Sequence, residues 1–357
     1  MSRWCLRSMQ WIPGFSNRHV EIVPFVPAFF ARKPVLRKSM SGVLSFAIVT
    51  LLLTRSFSLA AETPQDLLAA GRVDQAIQTL QHQIQTSPSA DAFNLLCRAQ
   101  LEIGAWDAGI PSCEKAVALA PDNGRYHLWL GRIYGGKAER AGMLSATGLA
   151  KKVHHEFERA VELSPDSWEA RTDLAEFYVE APGIVGGGKD KARAQAERIA
   201  PLNPAMAHWV KGRIAEKNKD LDLAENEYLA AVEASHGGSR AWLNLAGFYR
   251  HVNRTGAMEN ALRKLESSPL DHPGALVDGA SILVRTGRDP DLATRLLHRY
   301  LESGATVEEA PVFWAYYLLG QLFEKQGDRT GAAEQYRAAL ALAHSYRLAQ
   351  EGLKRVS

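Results

Sequence analysis

Cysteine is scarce in this chain: of 357 residues only Cys5, Cys97 and Cys113, in a spacing that fits neither a metal knuckle nor a redox CxxC pair. Long apolar runs are missing too. The apolar stretch from Val43 to Leu53 covers eleven positions, whereas a bilayer-spanning helix needs about 20. Charge of one sign is also lacking. Residues 1–60 carry eight of the 42 basic residues and one of the 39 acidic ones, so positions 61–357 hold 34 against 38, a balance of −4. That gives no electrostatic reason to expect nucleic acid. Catalytic and metal-ligating patterns are absent as well. His155-Glu156-Phe157-Glu158-Arg159 opens like a zinc-protease HExxH but ends in Arg, which loses a ligand. It reads as solvated polar residues on a helix, with Phe157 turned inward and His154 or Glu158 outward. The remaining histidines follow no ligand spacing, and no Ser or Cys stands in a nucleophile elbow. No cofactor, metal or reaction is implied.

What the first 60 residues do have is the layout of an export signal. Arg32, Lys33, Arg37 and Lys38 precede the Val43–Leu53 stretch, and Ser58-Leu59-Ala60 supplies a small-x-small site before Ala61. This predicts a secretory leader over 1–60, removed after Ala60, and a mature chain over 61–357 that is periplasmic or extracellular. Any membrane contact is expected only through an uncleaved leader.

Downstream, side chains of fixed bulk return in order. Tyr316-x2-Leu319-Gly320-x2-Phe323 is followed by Ala332-x3-Tyr336-x2-Ala339, and the order recurs as Leu130-Gly131-x2-Tyr134, Leu174-Ala175-x2-Tyr178, Ala224-x3-Tyr228-x2-Ala231 and Trp242-x2-Leu245-Ala246-x2-Tyr249. Small residues let paired helices approach, aromatics fill the gap between pairs, and Pro88, Pro121, Pro165 and Pro204 end them. This register, near a 34-residue period over roughly 65–356, resembles the tetratricopeptide repeat (TPR) family, most weakly near 255–310. The stretch around 134–193 is similar to a group of bacterial TPR proteins. The resemblance implies an all-α, right-handed solenoid of about eight helix pairs with a capping helix at 346–356. It also implies a concave face, lined by the first helix (A) of each pair, that binds a protein or peptide. The matching positions are Asn94, Arg98, Leu128, Arg132, Glu176, Trp209, Arg213, Arg240, Leu243, Arg250, Trp314 and Tyr317. Arginine mixed with aromatics suits recognition of an extended peptide.

Within the second repeat, Cys97 and Cys113 stand at the eighth and twenty-fourth positions, which face each other across an antiparallel pair. In an oxidising compartment they could bridge; otherwise they are small buried hydrophobes. Two repeats are longer than 34. Pro121 to Pro165 is 44 residues and Pro165 to Pro204 is 39, which predicts enlarged turns at 135–149 and 180–190 on one edge. These carry Lys137, Arg140, Gly186, Gly187, Gly188 and Lys189. Gly183-x4-Gly188-Lys189 matches a phosphate loop except that Asp190 replaces its final Ser/Thr, and it follows a helix rather than a strand. Two further readings stay open for it: a tight glycine turn, or an anion site at a helix start. The sequence as a whole points to a non-enzymatic interaction scaffold. The alternatives are small-anion or nucleotide binding at the glycine-rich edge, or a structural subunit of an envelope assembly.

Overall fold

The register of small and large residues folds as helix pairs. The computed structural model describes residues 62–357 apart from 306 and 309; the leader reading lies outside the described residues. The pairs are α1 (Pro64–Ala69) with α2 (Val73–Thr86), α3 (Ala90–Glu102) with α4 (Trp106–Leu119), α5 (Gly124–Ala138) with α6 (Met143–Leu163), and α7 (Trp168–Glu180) with α8 (Lys189–Ile199). Then come α9 (Pro204–Lys217) with α10 (Leu221–Ala234), α11 (Ser239–His251) with α12 (Thr255–Ser267), α13 (Gly274–Thr286) with α14 (Pro290–Glu302), and α15 (Val312–Gln326) with α16 (Arg329–Leu342). The last helix, α17 (Arg347–Val356), packs Ala349, Gly352 and Val356 against the eighth pair. No strand occurs among the described residues.

Each repeat starts and stops for local reasons. Pro88, Pro121 and Pro165 follow helix ends as expected, whereas Pro204 opens α9, and the turns supply the next helices with their N-caps. Ser89 Oγ accepts from Ala92 N at 3.2 Å, Ser167 Oγ from Ala170 N at 3.1 Å, and Asn203 Oδ1 from Met206 N at 3.1 Å. Inside each pair, bulk on one helix is matched by its absence on the other. A methyl placed on Gly131 would lie 2.5 Å from the Phe157 ring, on Gly320 2.6 Å from Tyr336, and on Gly212 3.2 Å from Tyr228. Only glycine lets those aromatics lie flat against the A helix. Between pairs, tyrosine hydroxyls donate backwards to the preceding helix: Tyr134 to Glu114 at 2.5 Å, Tyr178 to Glu158 at 3.1 Å, Tyr249 to Glu225 at 2.7 Å. One core then runs nearly unbroken from Leu67 to Val356.

The ends of the array meet. Arg98 of α3 grips Glu308, just before α15, through both carboxylate oxygens. Asp74 of α2 accepts from the His344 amide and from Ser345 Oγ between α16 and α17. Gly71, at φ +72°, lets its turn pass so close to α15 that a methyl there would sit 3.0 Å from Val312 N. A small rotation at each repeat, accumulated over eight, brings the first pair alongside the last.

Candidate functional site

The A helices α3, α5, α7, α9, α11, α13 and α15 line one face, and the sequence-derived groove residues sit on them. Several are struts rather than free contacts. Arg132 Nε (α5) donates to Asp173 Oδ2 (α7) at 2.7 Å, with both side chains buried. Glu176 and Glu180 (α7) receive Arg213 (α9) at 2.6 and 2.8 Å, and Glu216 (α9) pairs with Arg213 at 3.2 Å and with His251 (α11) at 2.8 Å. Burial opposes the charge on Arg213, but the Glu176 carboxylate beside it raises its pKa. Arg240 Nη2 donates to His272 Nδ1 at 2.9 Å; burial, with Arg240 adding to it, pushes that imidazole down to about 3, so it stays neutral and accepts. Arg250 Nη2 donates to His251 Nε2 on its own helix. Asn94, Trp209 and Leu243 are buried. Sequence position alone cannot distinguish a groove contact from a strut, because the partner carboxylate stands about one repeat away and carries no local signal.

Four of the expected residues do converge. Arg98, Arg132, Trp314 and Tyr317 line a recess of about 510 Å³ where α3 and α5 face α13 and α15. Two guanidiniums lie over the Trp129 ring, Arg98 at 5.0 Å and Arg132 at 4.7 Å from its centroid. Arg140, expected at the edge turns, belongs here instead, 4.5 Å above the Trp106 ring. The recess also holds two carboxyls that sequence reasoning missed. Burial raises Glu139 to about 7 against the opposing charge of Arg140. Burial likewise raises Asp278 to about 7 against Arg285 and Arg240. Glu139 Oε1 is buried without a hydrogen-bond partner. Nothing local marked these residues, since the closure of the array is what gathers them.

The edge turns differ from expectation. Little of 135–149 is a turn: α5 continues to Ala138, and α6 begins at Met143 and runs 21 residues. The extra length extends α6 instead of looping out, although Ser145, Thr147 and Gly148 are weak helix formers. In the second turn, Gly183–Val185 forms one 3-10 turn, and its glycines answer to geometry. Gly186 has φ +102°, and a methyl there would meet the His154 ring at 2.4 Å; on Gly187 it would lie 1.8 Å from Ala181 O. The amides of Gly186, Gly187 and Gly188 donate to Gly183 O, Pro182 O and Tyr178 O. Lys189 Nζ donates to Asn218 Oδ1 at 2.5 Å and Lys137 pairs with Asp107. The three glycine amides are therefore engaged within the turn, and Lys137, Arg140 and Lys189 each contact a different group, Asp107, the Trp106 ring and Asn218. His154, expected to face solvent, stacks on Phe177 with centroids 5.1 Å apart under this turn. Burial lowers its pKa although Glu158 opposes the shift.

Cys97 and Cys113 are bonded to each other, with Cα atoms 5.2 Å apart. Their separation of 16 is that of Gly212 from Tyr228 and of Gly320 from Tyr336. The bridge thus occupies the positions where other repeats seat an aromatic on a glycine. Among the described residues no cluster of three or more His, Cys, Asp or Glu could hold a metal.

Two family models, both described as tetratricopeptide repeat, match residues 67–133 and residues 185–240 with 278–347. No curated protein matches the chain. Similar solved structures include a thermophilic TPR protein of Thermus thermophilus, at 18% identity and TM-score 0.43, covering 52% of this chain and 98% of that one. A tetratricopeptide repeat protein of Parabacteroides merdae has 13% identity and TM-score 0.41, covering 82% and 95%. The structure of MamA has 20% identity and TM-score 0.39, covering 49% and 95%.

Proposed function

Since this chain belongs to the tetratricopeptide repeat family, we propose that it is an exported, non-enzymatic scaffold that holds an extended protein or peptide segment against its A helices. The recess between α3, α5, α13 and α15 is the anchor point. One observation carries this reading: Trp106, Trp129, Trp314 and Tyr317 line a single recess together with Glu139, whose buried Oε1 has no hydrogen-bond partner. Aromatic surface supplies contact area at low entropic cost, and a donor brought by the partner would satisfy the carboxyl oxygen. A peptide that presents an aromatic or basic side chain fits both requirements. Export is supported by the Cys97–Cys113 bridge, which persists in oxidising compartments, and by the leader-like order of residues 1–60.

The test is selection from a peptide library, followed by titration of the selected peptides against point variants. Trp314→Ala and Glu139→Gln alter the recess without removing an ion-pair strut. Each is expected to weaken binding about tenfold or more. Selected peptides that bind both variants as tightly as the unaltered chain would place the partner elsewhere.

A further inference from the structure

The first half of α6 is an exposed helix whose leading apolar side chains are left uncovered. The buried residues of α6 are Val153, Phe157 and Ala160, all in the second half. The eight residues Met143–Ala150 hold no charge, and Met143 and Leu144 are 84% and 91% exposed. On the neighbouring repeat, Ile184 at the 3-10 turn is 83% exposed. The next most exposed large hydrophobic among the described residues, Leu223, reaches only 48%. A methyl at Gly142, Gly148 or Gly183 would meet no atom within 4 Å, so the space around both tips is open. Two bare helical turns are marginal in water, and they gain stability chiefly when an apolar face is covered.

Three lysines flank this apolar edge, and the nearby Glu158 already accepts from the Tyr178 hydroxyl. Leu144, Thr147, Gly148 and Lys151 follow the i, i+3, i+4, i+7 spacing of a single helical stripe. Lys151 stands about 12 Å of helix rise behind Met143. Beside Ile184, Lys191 Nζ lies 5.1 Å from the Tyr178 ring centroid and donates to Gly186 O, and Lys189 is bonded to Asn218. None of Lys151, Lys189 and Lys191 forms an ion pair among the described residues. The nearby Asp190 is taken by Arg193. Three separated apolar side chains amount to a few hundred Å² at most, below the roughly 800 Å² per partner of a stable protein interface. Apolar tips backed by lysines instead match the cross-section of a lipid surface, where apolar groups enter about 5–10 Å and lysines meet anionic headgroups.

We propose that the edge formed by the first half of α6 and the Gly183–Val185 turn docks on an anionic lipid surface. Met143, Leu144 and Ile184 enter the interface, and Lys151, Lys189 and Lys191 lie at headgroup level. The contact is peripheral, since among the described residues no helix is long and apolar enough to cross a membrane. It departs from the expectation that only the leader would touch a membrane.

Hydrogen exchange on the full chain tests this independently of any leader-driven binding, because it reads the edge amides directly. With vesicles containing phosphatidylglycerol, the amides of 143–150 and 183–187 are expected to exchange about tenfold more slowly. Phosphatidylcholine vesicles or high salt should give less protection. A Met143→Ser, Leu144→Ser, Ile184→Ser variant should abolish the protection, and Lys151→Glu should weaken it. These positions are solvated, so the variants should melt with the parent. Edge amides that stay unprotected at every lipid concentration would overturn the proposal, whether or not the chain sediments with the vesicles. Protection that grows with protein concentration in the absence of lipid would overturn it too, in favour of a second copy of the chain.

Discussion

Reducing the Cys97–Cys113 bridge should loosen the second repeat and leave the middle of the array intact. The bond closes a loop of separation 16. Cross-linking such a loop removes about 10 cal/mol/K of chain entropy from the unfolded state, or about 3 kcal/mol at about 25 °C. The sulfurs are buried in the seam of α3 and α4, so reduction leaves two small hydrophobes in place and opens no large cavity. Apart from the contacts between the first and last pairs, each repeat contacts only its neighbours, so the loss stays local. A whole-chain melting temperature would dilute it, and global unfolding need not be two-state. Amide exchange resolved by helix is the better assay. About 3 kcal/mol corresponds to roughly a hundredfold faster exchange for the slowest amides of α3 and α4. Amides of α9 and α10 should change less than about twofold. The clasp from Arg98 to Glu308 starts on α3, so the amides at the start of α15 should accelerate with it. Equal rates in α3 and α4 before and after reduction, with thiol titration proving that the bond was cut, would refute the reasoning.

Other outcomes follow from the same geometry. Arg213→Met leaves Glu176, Glu180 and Glu216 without their shared cation and should cost about 3–5 kcal/mol in urea unfolding. Adding Glu176→Leu should recover part of that loss, and a double variant no better than the single would argue against the strut. Gly320→Ala forces a methyl to 2.6 Å from the Tyr336 ring and should destabilise by about 1–3 kcal/mol. Gly247→Ala, with nothing within 4 Å, should stabilise by up to about 1 kcal/mol; urea midpoints of the two variants should move in opposite directions. Glu139 and Asp278 have pKa values raised to about 7 from 4.5 and 3.8, so the folded chain binds more protons than the unfolded chain between those values. Their contribution to stability is complete below about pH 4 and is lost as pH rises through about 7. Glu139→Gln and Asp278→Asn should each flatten the fall in urea midpoint between about pH 5 and about pH 8, and an unchanged slope would contradict the assignment.

Legibility varied with how local the signal was. The helix pairs, the capping helix and the facing of Cys97 and Cys113 could be read because each depends on bulk at fixed spacing within one repeat. Glu308 could not be read as the partner of Arg98, since 210 residues separate them and no periodicity links the two. The stretch 135–149 reads as turn because its length exceeds the period and it carries four glycines, yet most of it continues as helix. Arg140 followed that error and was assigned to the wrong surface. The glycines of 183–188 read equally well as turn or anion cradle; only the hydrogen bonds of their amides separate the two. His154 reads as a solvated polar residue, but at i, i+3 it shares the side of α6 that carries Phe157, and the neighbouring repeat covers it.

Sequence by itself determined the repeat: which residues are small, which are aromatic, where each helix is capped, and hence that neighbouring pairs must stack. These are short-range consequences of volume and backbone chemistry, written within some 34 positions. Tertiary structure alone decided what the stacking encloses and what it leaves bare. The meeting of first and last pairs, the recess between them and the unsupported start of α6 depend on small rotations summed over eight repeats, and no single window of sequence contains that sum.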